Sequence, residues 1–164
     1  MNWAPLVIPT KADEGPRGVR RTPLAVYREL ERRYSRGGFT LDAAASQDNA
    51  LAPLYHDERA DGLTRAWVGR VFCNPPYSEI EQWVRRAHHQ FAAGNAEVIV
   101  MLLPARTSTE WFAWAGERGA RFVFPRYRIR FLDADGVELA RPFEHSVVLI
   151  FETGLDFGRR AVAP

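Results

Sequence analysis

The 164-residue sequence predicts one α/β domain on an open, mostly parallel sheet with an antiparallel C-terminal strand. Three observations lead there. Short apolar runs alternate with helical periodicities, the pattern of strands joined by crossover helices. Val98 to Leu103 is apolar without interruption, as in a central strand covered on both faces. Beyond Phe124 the alternation stops. Ile129 to Leu132, the turn Asp133-Ala134-Asp135-Gly136 and Ser146 to Phe151 then read as two strands around a loop.

The elements follow in order. Residues 1–21 mix Pro, Gly and charge without periodicity and read as a flexible arm, the domain proper as 22–153, and 154–164 as a tail. Thr22-Pro23 reads as a helix start, Thr as N-cap and Pro at the first helical position. Leu24, Tyr27, Leu30 and Tyr34 then share one face, and Gly37-Gly38 stops the helix. Phe39 to Ala45 is a buried strand running into small residues. Ser46 to Trp67 is the least legible stretch, with at most a short helix near Asn49 to Leu54. Val71-Phe72-Cys73 is a strand that runs into Asn74-Pro75-Pro76-Tyr77. Ser78 with Glu81, and later Thr107 with Glu110, have capping-box spacing ahead of amphipathic helices. Gly94 and Gly119 close those helices, and Arg121 to Phe124 is a further strand.

Composition narrows the function classes. Hydrophobic residues make up 46% and charged residues 26%, values of an ordinary globular chain. No run approaches the roughly 18 apolar residues of a membrane span, and the N-terminal residues lack a secretory pattern. The expectation is a cytoplasmic protein. Cys73 is the single cysteine, which excludes an internal disulfide and a cysteine-rich zinc site. His56, His88, His89 and His145 show no chelating spacing, so no metal is expected. The net charge is +2 with a pI near 9.0, and Lys11 is the only lysine. An arginine-based positive charge permits nucleic acid without demanding it, since base composition of the genome produces the same bias.

Asn74-Pro75-Pro76-Tyr77 carries the chemistry. In an open α/β sheet, ligands sit at the carboxyl ends of strands, where Asp42, Asn74 and Pro104-Ala105-Arg106 all fall. Two prolines remove two backbone donors and stiffen the corner, leaving carbonyls as acceptors. Asn74 adds a side-chain carbonyl and Tyr77 an aromatic face. A flat ring bearing an NH2 group would find partners for both amine hydrogens and for its face. Such an amine is a poor nucleophile, and two acceptors favour a tetrahedral nitrogen whose lone pair can attack a methyl sulfonium. A base in a duplex must be flipped out to reach the site.

At these residues the sequence resembles the small phage-type DNA N6-adenine methyltransferases, often called Dam-like. The resemblance runs from about Thr22 to Phe151. It rests on Thr22-Pro23, on Phe39 to Ser46, on Asp61-Gly62-Leu63 with Trp67, and on Phe72 to Ser78. Leu102 to Thr107 and Arg128 to Phe131 complete it. It implies a Rossmann-like S-adenosylmethionine-dependent methyltransferase fold, with S-adenosylmethionine as cofactor and DNA as partner. Asp42 with Ala43 and Ala44 would then line the methionine part of the cofactor, the carboxylate pairing with its ammonium. Thr22 and Pro23 would touch the cofactor too, and Asp61 would accept from the adenine amine of the cofactor. Asn74, Pro75, Pro76 and Tyr77 would take the target amine and base.

The chain also departs from that family. Arg20 stands where members often carry Trp two residues before Thr-Pro, and Ala-Ala-Ala-Ser replaces the glycine-rich loop. Asp48 and Asp57 are the two candidates for a ribose acid. With no separate recognition domain expected, sequence preference would come from loops such as Asp133 to Glu144. Arg126, Arg128, Arg130 and Arg141 cluster near the last strand pair and are candidates for phosphate contacts, with a solvated strand face as the alternative. Arg106, directly after a central strand, would point into the cleft. The motif alone leaves other planar amines open: cytosine N4, an RNA base or a protein glutamine. A silent nucleic-acid-binding relic is open as well.

Overall fold

The computed structural model describes residues 20–140 and 144–153. The proposed arm and tail lie almost entirely outside the described residues, as does Arg141. The chain runs α1 (Leu24–Tyr34), β1 (Leu41–Asp42), β2 (Leu54–Tyr55), β3 (Gly69–Cys73), α2 (Ile80–Ala92), β4 (Ala96–Pro104), α3 (Glu110–Glu117), β5 (Arg121–Val123) and β6 (Ser146–Glu152). Six strands form one sheet in the order β2-β1-β3-β4-β6-β5. β6 runs antiparallel to both β4 and β5, while the pairs among β2, β1, β3 and β4 are parallel. The expected mostly parallel sheet with one reversed C-terminal strand is therefore observed.

Side-chain alternation explains how β4 can be apolar from Val98 onward. Ile99, Met101 and Leu103 pack beneath α2 and α3 with Trp83, Val84 and Trp111. Val98, Val100 and Leu102 face the opposite layer, with Tyr27 and Leu30 of α1, Phe39 and Phe72. Every position from Val98 to Pro104 is buried because each face has its own cover. β6 divides the same way, Val147, Leu149 and Phe151 on one side and Val148 and Ile150 on the other. Cys73 is fully buried and burial pushes its thiol up, so it is a core residue.

Several local expectations are corrected. Phe39 to Ala45 contributes only Leu41–Asp42 to the sheet, and Leu54–Tyr55 is a strand where a short helix was expected. Pro53 forbids continuation of a helix there, and Leu54 and Asp42 find partners across the edge of the sheet. Ile129 to Leu132 is not a partner of β6. Ile129 and Phe131 turn inward onto the sheet, and Leu132 forms single bridges to Arg21 and Glu138. β6 instead inserts between β4 and β5, where both its edges are paired and both its faces buried.

Neither capping box forms. Tyr77–Glu79 is a 3-10 turn that delays α2, and Glu81 pairs with Arg85 one turn on, at 2.7 and 2.9 Å. α3 likewise starts at Glu110 without a side-chain cap, and the Thr109 hydroxyl donates to the Arg106 carbonyl. Thr22 is not the cap of α1 either: the helix begins at Leu24, after Pro23, and Thr22 faces Asn74.

Candidate active site

Because β1, β2, β3 and β4 are parallel, the residues after Asp42, Tyr55, Cys73 and Pro104 emerge at one edge of the sheet. Asn74 sits directly after β3. Its Nδ2 donates to the Arg20 carbonyl at 2.7 Å and to the Thr22 hydroxyl at 3.1 Å. The Arg20 carbonyl can only accept, so the amide nitrogen must face it and the oxygen must face away. That oxygen, Oδ1, is buried and has no partner among the described residues. Folded proteins leave few such acceptors, and each costs about 1–3 kcal/mol. Pro75 is buried and Pro76 exposed. The Pro76 carbonyl accepts from the Glu79 N–H at 3.3 Å, whereas the Pro75 carbonyl makes no bond among the described residues. The corner thus keeps two acceptors open, Asn74 Oδ1 and Pro75 O.

Tyr77 lies next to them, its hydroxyl buried without a partner and its ionisation pushed up by burial. Phe131 meets its ring edge-on, and the Arg20 guanidinium covers it, Cζ 4.8 Å from the ring centroid. The space left among Arg20, Tyr77, Pro104, Phe131, Glu144 and His145 is about 10 Å³. That is room for one water at most.

The residues after β1 form a second part of the site. Asp42 is buried, its Oδ1 accepting from Ala44 N at 3.5 Å and its Oδ2 from Leu51 N at 3.3 Å. Burial pushes its pKa up to about 6, against the opposing pull of those two N–H groups. Ala43 is fully buried, and Gly62 presses on it: a Cβ there would stand 2.2 Å from the Ala43 carbonyl and 2.8 Å from the Trp83 ring. Trp67 locks the loop by donating Nε1 to the Gly62 carbonyl at 2.7 Å. Asp61 adopts a positive φ of 49° and caps its own turn, Oδ1 accepting from Leu63 N at 3.1 Å. Beside these residues, Ser46, Gln47, Asp57, Glu58 and Arg59 line an open pocket of about 290 Å³. Of these only Asp57 was singled out from sequence. Asp48, the other ribose candidate, is engaged by Ser46 and Arg21, which hold its carboxyl low.

The arginines divide. Arg106 is exposed and bound in a fork to Glu144, at 2.9 and 2.7 Å, so it stands at the rim instead of reaching inward. Arg126, Arg128 and Arg130 are exposed, opposite the buried Ile129 and Phe131, and Arg130 reaches Glu138 at 3.4 Å. Among the described residues, no three His, Cys, Asp or Glu side chains gather as a metal site, and no helix is long and apolar enough to cross a membrane.

A family model described as "DNA N-6-adenine-methyltransferase (Dam)" matches residues 10–158. The chain belongs to the Dam family. Every residue of the site just described falls within that match. Among curated Dam relatives, a "DNA N-6-adenine-methyltransferase" of Escherichia phage T1 is 36% identical over 134 residues, covering 80% of this chain and 54% of the relative. This chain therefore spans about half the length of that protein. A protein of the same name from Haemophilus phage HP1 (strain HP1c1) is 30% identical over 140 residues, covering 84% of this chain and 80% of the relative. No solved structure matches this Dam-family chain significantly.

Proposed function

We propose that the protein transfers a methyl group from S-adenosylmethionine to the N6 amine of adenine in DNA. One observation carries the reading: Asn74 Oδ1 is a buried acceptor with no partner among the described residues, on an amide whose other end is tied down. The names of the two phage relatives point to the same acceptor.

In this reading Asn74 Oδ1 and the Pro75 carbonyl each accept one N–H of the amine, turning its lone pair out of the ring. Pro76 stiffens the corner, and its carbonyl is taken by the turn that starts α2. Tyr77 stacks on the flipped base once Arg20 has moved aside. Positioning and fixed dipoles lower the barrier, without a strong base.

The cofactor residues fit the group. S-adenosylmethionine supplies, when bound, an electrophilic methyl on a cationic sulfur and leaves as the neutral thioether. Asp42 offers its ammonium a buried carboxylate, and Ala43 and Ala44 leave room for close approach. The pocket of Ser46, Gln47 and Asp57 suits the polar adenosine end, with Asp57 the better placed ribose acid. Asp61 retains Oδ2 for the adenine amine, and Thr22 with Pro23 borders the site through Asn74. Arg126, Arg128 and Arg130, with Arg106 at the rim, contact phosphates of the DNA. With relatives encoded by phages, the place of action is the host cytoplasm.

Incubation with labelled cofactor and duplex DNA, followed by digestion to nucleosides, tests this directly. N6-methyl-2′-deoxyadenosine is expected. Label on cytosine, on RNA or on protein, or no label at all, would refute the acceptor. Asn74→Ala should abolish transfer while leaving the cofactor affinity measured by calorimetry within about twofold.

A further inference from the structure

Both N–H bonds of the Asn74 amide go to the segment ahead of α1, one to the Arg20 carbonyl at 2.7 Å and one to the Thr22 hydroxyl at 3.1 Å. That segment is itself anchored. Arg21 and Leu132 exchange both backbone hydrogen bonds, at 2.8 and 2.9 Å, and the Arg21 guanidinium pairs with Asp48. Thr22 is only 8% exposed, so its hydroxyl is shielded from water where it meets the amide.

We propose that Thr22 is a positioning residue, which fixes the plane of the Asn74 amide so that Oδ1 is aimed at the target amine. The proposal rests on the acceptor role given to Asn74 above. An asparagine side chain rotates broadly about its last bond, with two orientations that exchange oxygen and nitrogen. The Arg20 carbonyl decides which end is which. Held by that bond alone, the amide can still pivot about it; the second bond, to Thr22, removes that freedom. Small displacements of a catalytic group are costly, since a misplacement of roughly 1 Å can lower a rate about a hundredfold. This task differs from the cofactor contact that family resemblance implies for Thr22. It makes the residue before α1 part of the amine site, 52 positions away in sequence.

Thr22→Val keeps the size and removes the acceptor, while Thr22→Ser restores the hydroxyl. In steady-state assays on DNA, valine should lower kcat about tenfold, the effect of one lost hydrogen bond. KM for DNA and the cofactor Kd should stay within about twofold, and serine should recover most of kcat. An unchanged kcat, or a loss that appears as weakened cofactor binding, overturns the proposal. A second readout is independent of turnover. In the 15N-labelled full chain, the Asn74 side-chain NH2 pair should exchange slowly in wild type and in Thr22→Ser, and faster in Thr22→Val. Identical exchange in all three overturns the proposal even if the wild type methylates nothing, an outcome that would instead sink the proposed activity. If valine prevents folding, Thr22→Ala serves the same measurement.

Discussion

The Arg20 guanidinium lies over the Tyr77 ring, 4.8 Å from its centroid. A planar cation on an aromatic ring is stabilised by the ring quadrupole, typically by about 1 kcal/mol where partly exposed. In this placement Arg20 covers the Tyr77 ring, and the space the two enclose with their neighbours is only about 10 Å³. Its backbone carbonyl meanwhile stays on Asn74, so the side chain can leave while the acceptor remains set.

Arg20→Ala should therefore ease admission of the base. At salt high enough to screen phosphate contacts, KM for DNA is expected to fall about fivefold, the equivalent of roughly 1 kcal/mol, with kcat maintained. Steady-state kinetics on a duplex substrate checks this. A higher KM under those conditions would show that the guanidinium helps to hold the bound base.

Asp42 should make cofactor binding depend on pH. Its folded-state value, about 6, lies above that of an exposed aspartate, so the folded protein holds the proton more tightly than the unfolded chain. The sign is thus destabilising on ionisation. The cofactor-free protein should lose on the order of 2 kcal/mol of stability as pH rises from about 4 to about 6. Cofactor affinity should run the other way, because the ammonium needs the ionised carboxylate. Calorimetry should find S-adenosylmethionine binding about tenfold weaker at pH 5 than at pH 7.5. Asp42→Asn should bind weakly with a flat profile between these values, and an equal slope in that variant would discredit Asp42 as the partner.

Gly62 is irreplaceable for a steric reason. An added Cβ would overlap the Ala43 carbonyl at 2.2 Å, and that contact is with backbone, which yields less readily than a side-chain tip. Gly62→Ala should cost about 2 kcal/mol of stability, measured by denaturant unfolding. It should also weaken cofactor binding by moving Ala43. A variant with unaltered stability and affinity would show that the loop does not press on β1 in solution.

Arg126, Arg128 and Arg130 should act through charge. Replacing all three by alanine is expected to reduce the slope of log Kd for duplex DNA against log salt by roughly 2 to 3, since each lost phosphate contact removes about 0.9. Affinity should fall for all sequences alike. An unaltered slope would assign these side chains to a solvated face.

Much of the molecule was legible from local pattern. β4 announced itself because burial on both faces from Val98 onward demands an apolar residue at each position, and that demand is written in consecutive residues. The Asn74 corner was legible for a related reason: a strand, two prolines and an aromatic ring lie side by side in the chain. Capping boxes were misread because spacing alone does not report competitors. Glu81 had Arg85 one turn away, and a 3-10 turn moved the helix start past Ser78. β2 was hidden because two residues carry no periodicity, and its stability comes from pairing with β1.

Chain chemistry alone thus dictated where a sheet runs, where it ends, and that a proline-stiffened corner at Asn74 lies at one of those ends. Folding in three dimensions settled that Asn74 Oδ1 and the Pro75 carbonyl stay unpaired among the described residues, and that Arg20 and Thr22 are the neighbours of Asn74. The reason is range. Periodicity, proline stiffness and burial act over a few residues, whereas Thr22 and Asn74 meet across 52 positions through the order of strands, which no short segment encodes.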